Sequence, residues 1–210
     1  MKHLVSDHRR KRTEIKKRLN EFCKLRNAKD ADIFGELCFC LLTPQSKALN
    51  CDKAIKNLKK NGLLFSGGPR YIASKLKGLV RFHNKKSNFL VEARKNVKCS
   101  KGFSIRKKLI SNNPFQMREW LVANIKGIGH KEASHFLRNI GFGQTMAILD
   151  THILKNLKRH GVITSIPTSI TKKNYLAIES KMQRFSDKIN IPIDELDLLF
   201  WSQETGHVFK

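Results

Sequence analysis

The chain has 210 residues, of which 42 are Lys or Arg and 17 are Asp or Glu, so its formal net charge is +25. This length fits one domain or two small interleaved ones with a real core, and the 40% hydrophobic content excludes a disordered tail. A field of this sign attracts polyanions, which makes nucleic acid the leading partner and an anionic membrane the second. Compositional drift toward lysine in an AT-rich genome is the alternative explanation of the charge.

Apolar residues recur at helical spacing along the first half of the chain. The pattern predicts five helices, over residues 7–27, 30–42, 47–61, 69–78 and 82–97. The segment Thr43-Pro44-Gln45-Ser46 breaks the pattern after a helix that is apolar on most sides and is therefore expected to be buried.

The second half continues in the same way. Asn113-Pro114 begins a helix, the pattern is interrupted at Gly127-Ile128-Gly129, and it resumes from Lys131 to Ile140. Asp150 precedes a helix of about ten residues, residues 171–190 form another, and Pro192 is expected as the first residue of the last one. No sustained two-residue alternation occurs, so the predicted class is all-α.

The charge is concentrated in one part of the sequence. Between Pro69 and Lys108 there are thirteen basic residues and one acidic residue, Glu92. The basic residues are Arg70, Lys75, Lys77, Arg81, Lys85, Lys86, Arg94, Lys95, Lys98, Lys101, Arg106, Lys107 and Lys108. From Ile193 to Phe209 the chain has acidic residues and no Lys or Arg. Uniform drift would not produce this asymmetry, which favours a phosphate-binding region.

The cysteines and the beginning of the chain bear on location and cofactors. Five cysteines occur, an odd number, and no two of them have CxxC spacing, which indicates reduced thiols rather than a zinc or iron–sulfur site. The first residues lack the apolar run of an export signal, and no stretch approaches the roughly 20 apolar residues of a membrane span. We expect a cytoplasmic, nucleoid-associated protein that is not secreted, has no membrane contact and uses no cofactor or metal.

The glycine turn is the first candidate binding site. Glycine tolerates positive φ, so Gly127 and Gly129 let the chain reverse tightly while Ile128 anchors the hairpin between two helices. We expect the backbone N–H groups of the turn and of the next first helical turn to point outward unpaired, as an anion site for a DNA phosphate. An ordinary turn between two helices is the alternative.

Lys131 and Asp150 are the candidate catalytic residues. Lys131 is expected in the first turn of a helix, whose positive end disfavours a cation. This placement suits a phosphate contact, or a nucleophile, because burial and the helix end would both favour the neutral amine and its lone pair. Asp150 is expected to cap the next helix, and a carboxylate fixed in this way can stabilise developing positive charge or assist proton transfer from the lysine.

These residues also resemble a known family. Gly127-Ile128-Gly129-His130-Lys131 followed by Ile148-Leu149-Asp150-Thr151-His152 resembles the helix-hairpin-helix DNA glycosylases. The run from Ile125 to Asn139 and the C-terminal stretch from Glu195 to Lys210 are similar, more narrowly, to the archaeal-type, second family of 8-oxoguanine DNA glycosylase/AP lyases. The likeness covers about Glu36 to Lys210.

The resemblance implies a fold and a mechanism. It implies two helical subdomains with a DNA cleft between them, one built from residues 1–43 with 153–210 and one from 44–152, with the hairpin motif at 121–140. It implies that Lys131 attacks C1′ of the damaged nucleotide, expels the base and forms a Schiff base that permits β-elimination, with Asp150 as its partner. The partner would be double-stranded DNA containing an oxidised guanine, bound by a monomer.

The resemblance also suggests roles for further residues. Lys210, the last residue, would help to read the oxidised base, and a frayed end at Val208-Phe209-Lys210 is the alternative. Trp201 would stack on the base or wall its pocket, although core packing is an alternative for this tryptophan. The expected DNA contacts are Gln45, Arg81, Phe82, Lys126, Gly127, Gly129 and His130. Gln45 would lie in the DNA gap, and Phe82 would insert beside the orphaned base or else pack in the core. His130 and His135 are expected as phosphate contacts or as solvated side chains.

Two other functions fit part of the pattern. A helix-hairpin-helix glycosylase for another oxidised base, such as a pyrimidine, would share the lysine and the aspartate. A non-catalytic helix-hairpin-helix DNA-binding protein would require neither Lys131 nor Asp150.

Overall fold

The computed structural model describes residues 2–99, 102–109 and 113–210. Within these ranges the regular structure is almost entirely helical, and the exception is one short antiparallel pair of strands, β1 (Lys98–Cys99) and β2 (Gly102–Phe103). The helices are α1 (Lys2–Leu25), α2 (Asp30–Leu42), α3 (Ala48–Lys60), α4 (Leu63–Ser66), α5 (Pro69–Leu76), α6 (His83–Val97), α7 (Ile105–Lys108), α8 (Pro114–Asn124), α9 (His130–Leu137), α10 (Thr151–Arg159), α11 (Lys172–Ile189) and α12 (Ile193–Thr205). The predicted all-α class is confirmed.

The chain divides into two compact units. One is the continuous segment Asn27–Phe136, here called the hairpin unit, and the other combines Met1–Arg26 with Leu137–Lys210 and is called the terminal unit. This division differs from the predicted boundaries after residues 43 and 152. It assigns α2 and Lys131 to the hairpin unit and Asp150 to the terminal unit.

In the hairpin unit, α2 is the central buried helix. Every residue from Ile33 to Leu42 is buried, and the helix packs against α3 and α6. Two acidic residues, Asp30 and Asp32, lie in its first turn, where they complement the positive end of the helix. It ends at Leu42, as predicted. Thr43 still has helical dihedrals and donates its N–H to Cys40 O, and Pro44, which has no N–H, cannot continue the helix.

In the terminal unit, α1 packs along α12 and against a π-helical turn, Arg138–Phe142, that follows α9. The core between them is formed by large apolar side chains that include Ile15, Phe22, Met182 and Phe200. Pro192 lies one residue before α12 rather than at its first position, because its extended backbone (ψ 143°) makes it the cap. Asp194 and Glu195 occupy the first turn, as predicted.

The short elements were not predicted. Helices α4 and α7 have four residues each and the strands have two, so none is long enough to show a period in the sequence. Lys101, one of the thirteen basic residues, lies outside the described residues. Among those described, no helix is long and apolar enough to cross a membrane.

Candidate active site

The glycine turn between α8 and α9 is formed as predicted, but only one of its glycines needs to be glycine. Gly127 has a φ of +90°, and a Cβ at this position would lie 2.4 Å from a ring carbon of Phe89. Gly129 has no positive φ, and a Cβ there would meet only the end of the Glu132 side chain at 3.3 Å. Ile128 is buried, as expected of the residue that anchors the turn.

The N–H of Gly129 is not unpaired, contrary to the prediction. It donates to Glu132 Oε2 at 3.3 Å, the return bond of a capping box in which the third helical residue caps the residue before the helix. The prediction missed this bond because it considered the backbone of the turn and not the acidic side chain that follows it. A phosphate bound at Gly129 would have to replace Glu132.

Lys131 lies in the first turn of α9, next to Glu132. Its Nζ is 2.9 Å from Glu132 Oε1, and its side chain is 24% exposed. One carboxylate therefore holds both the N–H of Gly129 and the amine of Lys131. Sequence reasoning did not assign a role to Glu132, although its position three residues after Gly129 is a recognisable capping signal.

The side chains around the turn make further ion pairs. Lys126 is exposed, with Nζ 3.5 Å from Glu92 Oε1, so it stays available to a phosphate. His130 Nε2 lies 3.0 Å from Glu119 Oε1. His135, expected to be solvated or at a phosphate, is instead buried edge-on against Phe39, with ring centroids 5.6 Å apart, because it faces the core side of α9.

Gln45 and Phe82 are both exposed, and both have left-handed backbone conformations, with φ of 54° and 57°. Phe82 is 54% exposed, which rules out the core-packing alternative, and the guanidinium of Arg81 lies over its ring at 5.4 Å from the centroid. Non-glycine residues in this conformation are strained and concentrate at functional sites. The structure thus gives both residues the exposure that a DNA contact requires.

Among the basic residues of this stretch that the structure describes, Lys86 and Arg94 direct their side chains to backbone carbonyls. Lys86 is buried, and Arg94 donates from Nη2 to Gly67 O at 2.8 Å. For Lys86 the sequence held a signal that was not used. Its position four residues before Leu90 continues the buried face of α6 through Ala93 and Val97.

In the terminal unit, Asp150 caps α10 as predicted. Its Oδ1 accepts a hydrogen bond from the N–H of Ile153 at 2.8 Å. Helix α11 holds the strand-like segment that leads to it, since Tyr175 donates its hydroxyl to Ala147 O at 2.6 Å and Glu179 accepts from Ala147 N–H at 2.9 Å. The carboxylate is therefore fixed by its own helix and by α11.

A buried ion pair in the same unit was not found from the sequence. Arg138 Nη1 lies 3.2 Å from Asp197 Oδ2, and both side chains are almost completely buried. Burial raises the pKa of Asp197 to about 7; the charge of Arg138 opposes this rise, and the charges of Asp150 and Asp194 add to it. Asp150 is thus within electrostatic range of this pair.

The C-terminus is packed rather than frayed. Arg18 of α1 donates from Nε to the carbonyl of Phe209 at 3.1 Å. Trp201 is partly exposed, and its ring centroid lies 6.2 Å from that of Phe209. Lys210 is therefore connected to a chain segment that is held in place on the terminal unit.

The predicted site residues are divided between the two units. The hairpin unit holds Lys131 and all of the expected DNA contacts, whereas the terminal unit holds Asp150, Trp201 and Lys210. Among the described residues, no three His, Cys, Asp or Glu side chains come together in a way that could hold a metal ion.

Comparisons with known proteins identify relatives over the whole chain. A family model described as 8-oxoguanine DNA glycosylase matches residues 15–191. Two curated relatives are named 8-oxoguanine DNA glycosylase/AP lyase. The one from Fusobacterium nucleatum is 48% identical over 201 residues, covering 94% of this chain and 92% of the relative. The one from Methanocaldococcus jannaschii is 39% identical over 208 residues, covering 95% of each.

Solved structures give the same result. The crystal structure of the Methanocaldococcus jannaschii 8-oxoguanine DNA glycosylase has a TM-score of 0.89 at 34% identity and covers 100% of this chain and 97% of that chain. The structure of that organism's 8-oxoguanine glycosylase/lyase in complex with a 15mer DNA containing 8-oxoguanine has a TM-score of 0.88 at 34% identity and covers 100% of both. The predicted helix-hairpin-helix glycosylase fold is confirmed. The chain belongs to the 8-oxoguanine DNA glycosylase family.

Proposed function

We propose that this protein is a bifunctional base-excision repair enzyme, which excises 8-oxoguanine from duplex DNA and cleaves the resulting abasic site. Its family membership and the names of its relatives support both activities. In this chain the observation that carries the proposal is Lys131, an amine held in the first turn of α9 directly after the glycine turn.

Lys131 is the nucleophile in this mechanism. Its Nζ attacks C1′ of the damaged nucleotide, the bond from C1′ to the base breaks, and the electron pair of that bond leaves with the base. The amine must lose a proton before its lone pair can attack, and Glu132 Oε1, at 2.9 Å, is within reach of that proton. The C1′–O4′ bond then breaks, O4′ takes a proton, and the lone pair of Nζ forms a protonated Schiff base with C1′. This acidifies C2′, so that a C2′ proton and the 3′ phosphate leave by β-elimination.

Asp150 stabilises the positive charge that develops on the deoxyribose. The bond from Ile153 N–H and the two bonds from α11 to Ala147 fix its position before substrate binds. A preorganised carboxylate is effective because no reorganisation is needed as the charge appears. Asp150 is also a second candidate to accept a proton from Lys131.

Base recognition is assigned to the C-terminus. Guanine N7 is a hydrogen-bond acceptor, whereas 8-oxoguanine carries a proton there and is a donor, so a fixed acceptor distinguishes them. The acceptor for N7–H is proposed to be a backbone carbonyl, because the ammonium of Lys210 can only donate. Lys210 is proposed to help read the base as a donor, and the bond from Arg18 to the Phe209 carbonyl holds the residue before it. Trp201, partly exposed beside Phe209, provides a face on which a base can stack.

The hairpin unit supplies the proposed contacts to DNA. Lys126, Gly127, Gly129 and His130 form the turn and its borders. Gln45, Arg81 and Phe82 are exposed, and Gln45 and Phe82 have left-handed backbone conformations. An enzyme acting on a base must first extrude the nucleotide from the stack, at a cost of a few kcal/mol. We assign Gln45 and Phe82 to the space that this nucleotide leaves. We also propose that the enzyme works as a monomer, in the cytoplasm, on nucleoid DNA.

Borohydride trapping across a panel of duplexes tests the function. The reagent reduces a Schiff base to a stable adduct between the protein and DNA. We expect an adduct with an 8-oxoguanine duplex and none with the same duplex carrying guanine. An adduct with an oxidised pyrimidine only would favour another lesion, and no adduct with any duplex, an abasic one included, would indicate a non-catalytic DNA-binding protein.

A further inference from the structure

Two exposed residues of the hairpin unit adopt a backbone conformation that side chains disfavour. Among the described residues, the non-glycine residues with positive φ are Gln45, Phe82 and Asn190. Asn190 ends α11, which is an ordinary place for a left-handed asparagine. Gln45 and Phe82 have no such explanation, so the surrounding structure must hold them in place.

Lys86 holds the loop that contains Gln45. Its ammonium donates to Leu42 O at 2.7 Å, to Pro44 O at 2.6 Å and to Ser46 Oγ at 3.0 Å. A lysine has three donors, and all three are used here. The acceptors lie on both sides of Gln45, from the last residue of α2 to the residue after Gln45.

Ser46 connects this loop to Phe82. Its hydroxyl accepts from Lys86 and from the backbone N–H of Arg81 at 3.1 Å, and it lies 3.4 Å from Pro44 O as a donor. The backbone N–H of Lys86 donates to the carbonyl of Phe82 at 2.9 Å. That bond belongs to the first turn of α6 and does not use the Lys86 side chain. The side-chain network runs from Lys86 Nζ through Ser46 Oγ to the N–H of Arg81, so it reaches Phe82 through the residue that precedes it.

Burying the charge of Lys86 destabilises the folded protein. The side chain is 4% exposed, and burial lowers its pKa to about 8, with smaller contributions from Cys51 of α3, Lys131 and Glu132 of α9, and Arg81. An apolar side chain would fill this position without that penalty. All three donors of this buried ammonium bind one loop. We therefore infer that the role of Lys86 is to fix the position of that loop.

We propose that Lys86 and Ser46 form a clamp that presets Gln45 and Phe82 to fill the space left by the extruded nucleotide, which makes Lys86 a positioning residue for base excision. The proposal rests on the proposed function, because it needs a reaction that begins with extrusion. It separates two steps: the clamp acts on extrusion, whereas the chemistry of Lys131 follows it. An abasic site has no base to unstack and depends less on the clamp.

Three variants of the full chain test the clamp. Lys86→Met removes the ammonium, and Ser46→Ala removes one of its acceptors and the link to Arg81. Lys53→Met, at an exposed lysine of α3, is the control for the loss of one positive charge. Each is assayed for single-turnover excision from an 8-oxoguanine duplex and for borohydride trapping on a preformed abasic duplex. A 2-aminopurine next to the lesion reports extrusion by its fluorescence.

We expect Lys86→Met to slow excision at least tenfold and to reduce the 2-aminopurine signal, while trapping on the abasic duplex changes less than threefold. Ser46→Ala should shift both readouts in the same direction by a smaller factor. The double variant Lys86→Met/Gln45→Ala should be no more than twofold slower than Lys86→Met, since both remove the same function.

Equal loss of excision and abasic trapping in Lys86→Met would overturn the proposal and leave Lys86 a structural role. If Lys86→Met does not fold, Ser46→Ala decides, and unchanged excision and fluorescence in that variant would also overturn it. A wild-type protein that does not excise 8-oxoguanine would refute the proposed function, and the clamp with it. An active wild-type protein with an equally active Lys86→Met would refute the clamp alone.

Discussion

The buried ammonium of Lys86 predicts an unusual dependence of stability on pH. Its pKa is about 8 in the folded protein and 10.5 in the unfolded chain. Between these values the unfolded chain binds a proton that the folded protein has released, so folding becomes more favourable as pH rises. The cost of burying the charge is fully present below pH 8 and is relieved as pH rises toward 10.5.

The size of the effect follows from the two pKa values. At 1.36 kcal/mol per pKa unit, the cost is about 3 kcal/mol at pH 7 and about 1 kcal/mol at pH 10. The free energy of unfolding of the wild type, minus that of Lys86→Met, should therefore rise by about 2 kcal/mol from pH 7 to pH 10. The buried thiol of Cys51, whose pKa burial raises to about 11, titrates in both proteins, so its contribution largely cancels in the difference.

Urea unfolding of both proteins at several pH values measures this difference. Lys53→Met, which loses an exposed charge, should give a curve parallel to that of the wild type. If the difference between wild type and Lys86→Met changes by less than about 0.5 kcal/mol over the range, the reasoning about burial of this ammonium is refuted.

Three further predictions concern the site. Gly127→Ala should destabilise the protein by about 1–2 kcal/mol because of the positive φ, and displacement of Phe89 should add to this loss. Gly129→Ala should lower the Tm much less. Equal losses in the two variants would contradict the geometry of the turn. Asp150→Ala should lose about 0.5–2 kcal/mol of capping energy. Asp150→Asn keeps the cap and the Tm but loses the charge, so it should slow excision. Full activity in Asp150→Asn would exclude a role for the charge. Deleting Lys210 should weaken excision of 8-oxoguanine and spare cleavage of a preformed abasic site, and an equal decrease of both would argue against base reading.

The long helices were predictable because each shows its apolar face and its cap in a short window of sequence. Asn113 before Pro114 and Asp150 before Thr151 cap α8 and α10 with side-chain bonds to the N–H groups of the first turn. The four-residue helices and the strand pair were missed because two to four residues carry no periodicity. Pairings between distant segments, such as Arg138 with Asp197, are not visible in either segment by itself.

The sequence predicted the candidate catalytic residues of the site but not the residues that hold them and the neighbouring loop in place. Lys131 after a glycine turn and an aspartate at a cap are local patterns. Glu132 and Lys86 were missed as supports for a shared reason: each was counted as a charge and not as a group with a partner. The capping position of Glu132 and the place of Lys86 on the buried face of α6 were both readable from spacing.

The assignment of the nucleophile is the central claim, and trapping with the Lys131→Gln variant tests it most directly. Borohydride with an 8-oxoguanine duplex should give an adduct with the wild type, and mass spectrometry of its peptides should find the sugar on Lys131. Lys131→Gln should fold with a similar Tm, bind the duplex and form no adduct. An undiminished adduct in this variant, or a modified lysine elsewhere in the wild type, would contradict the account.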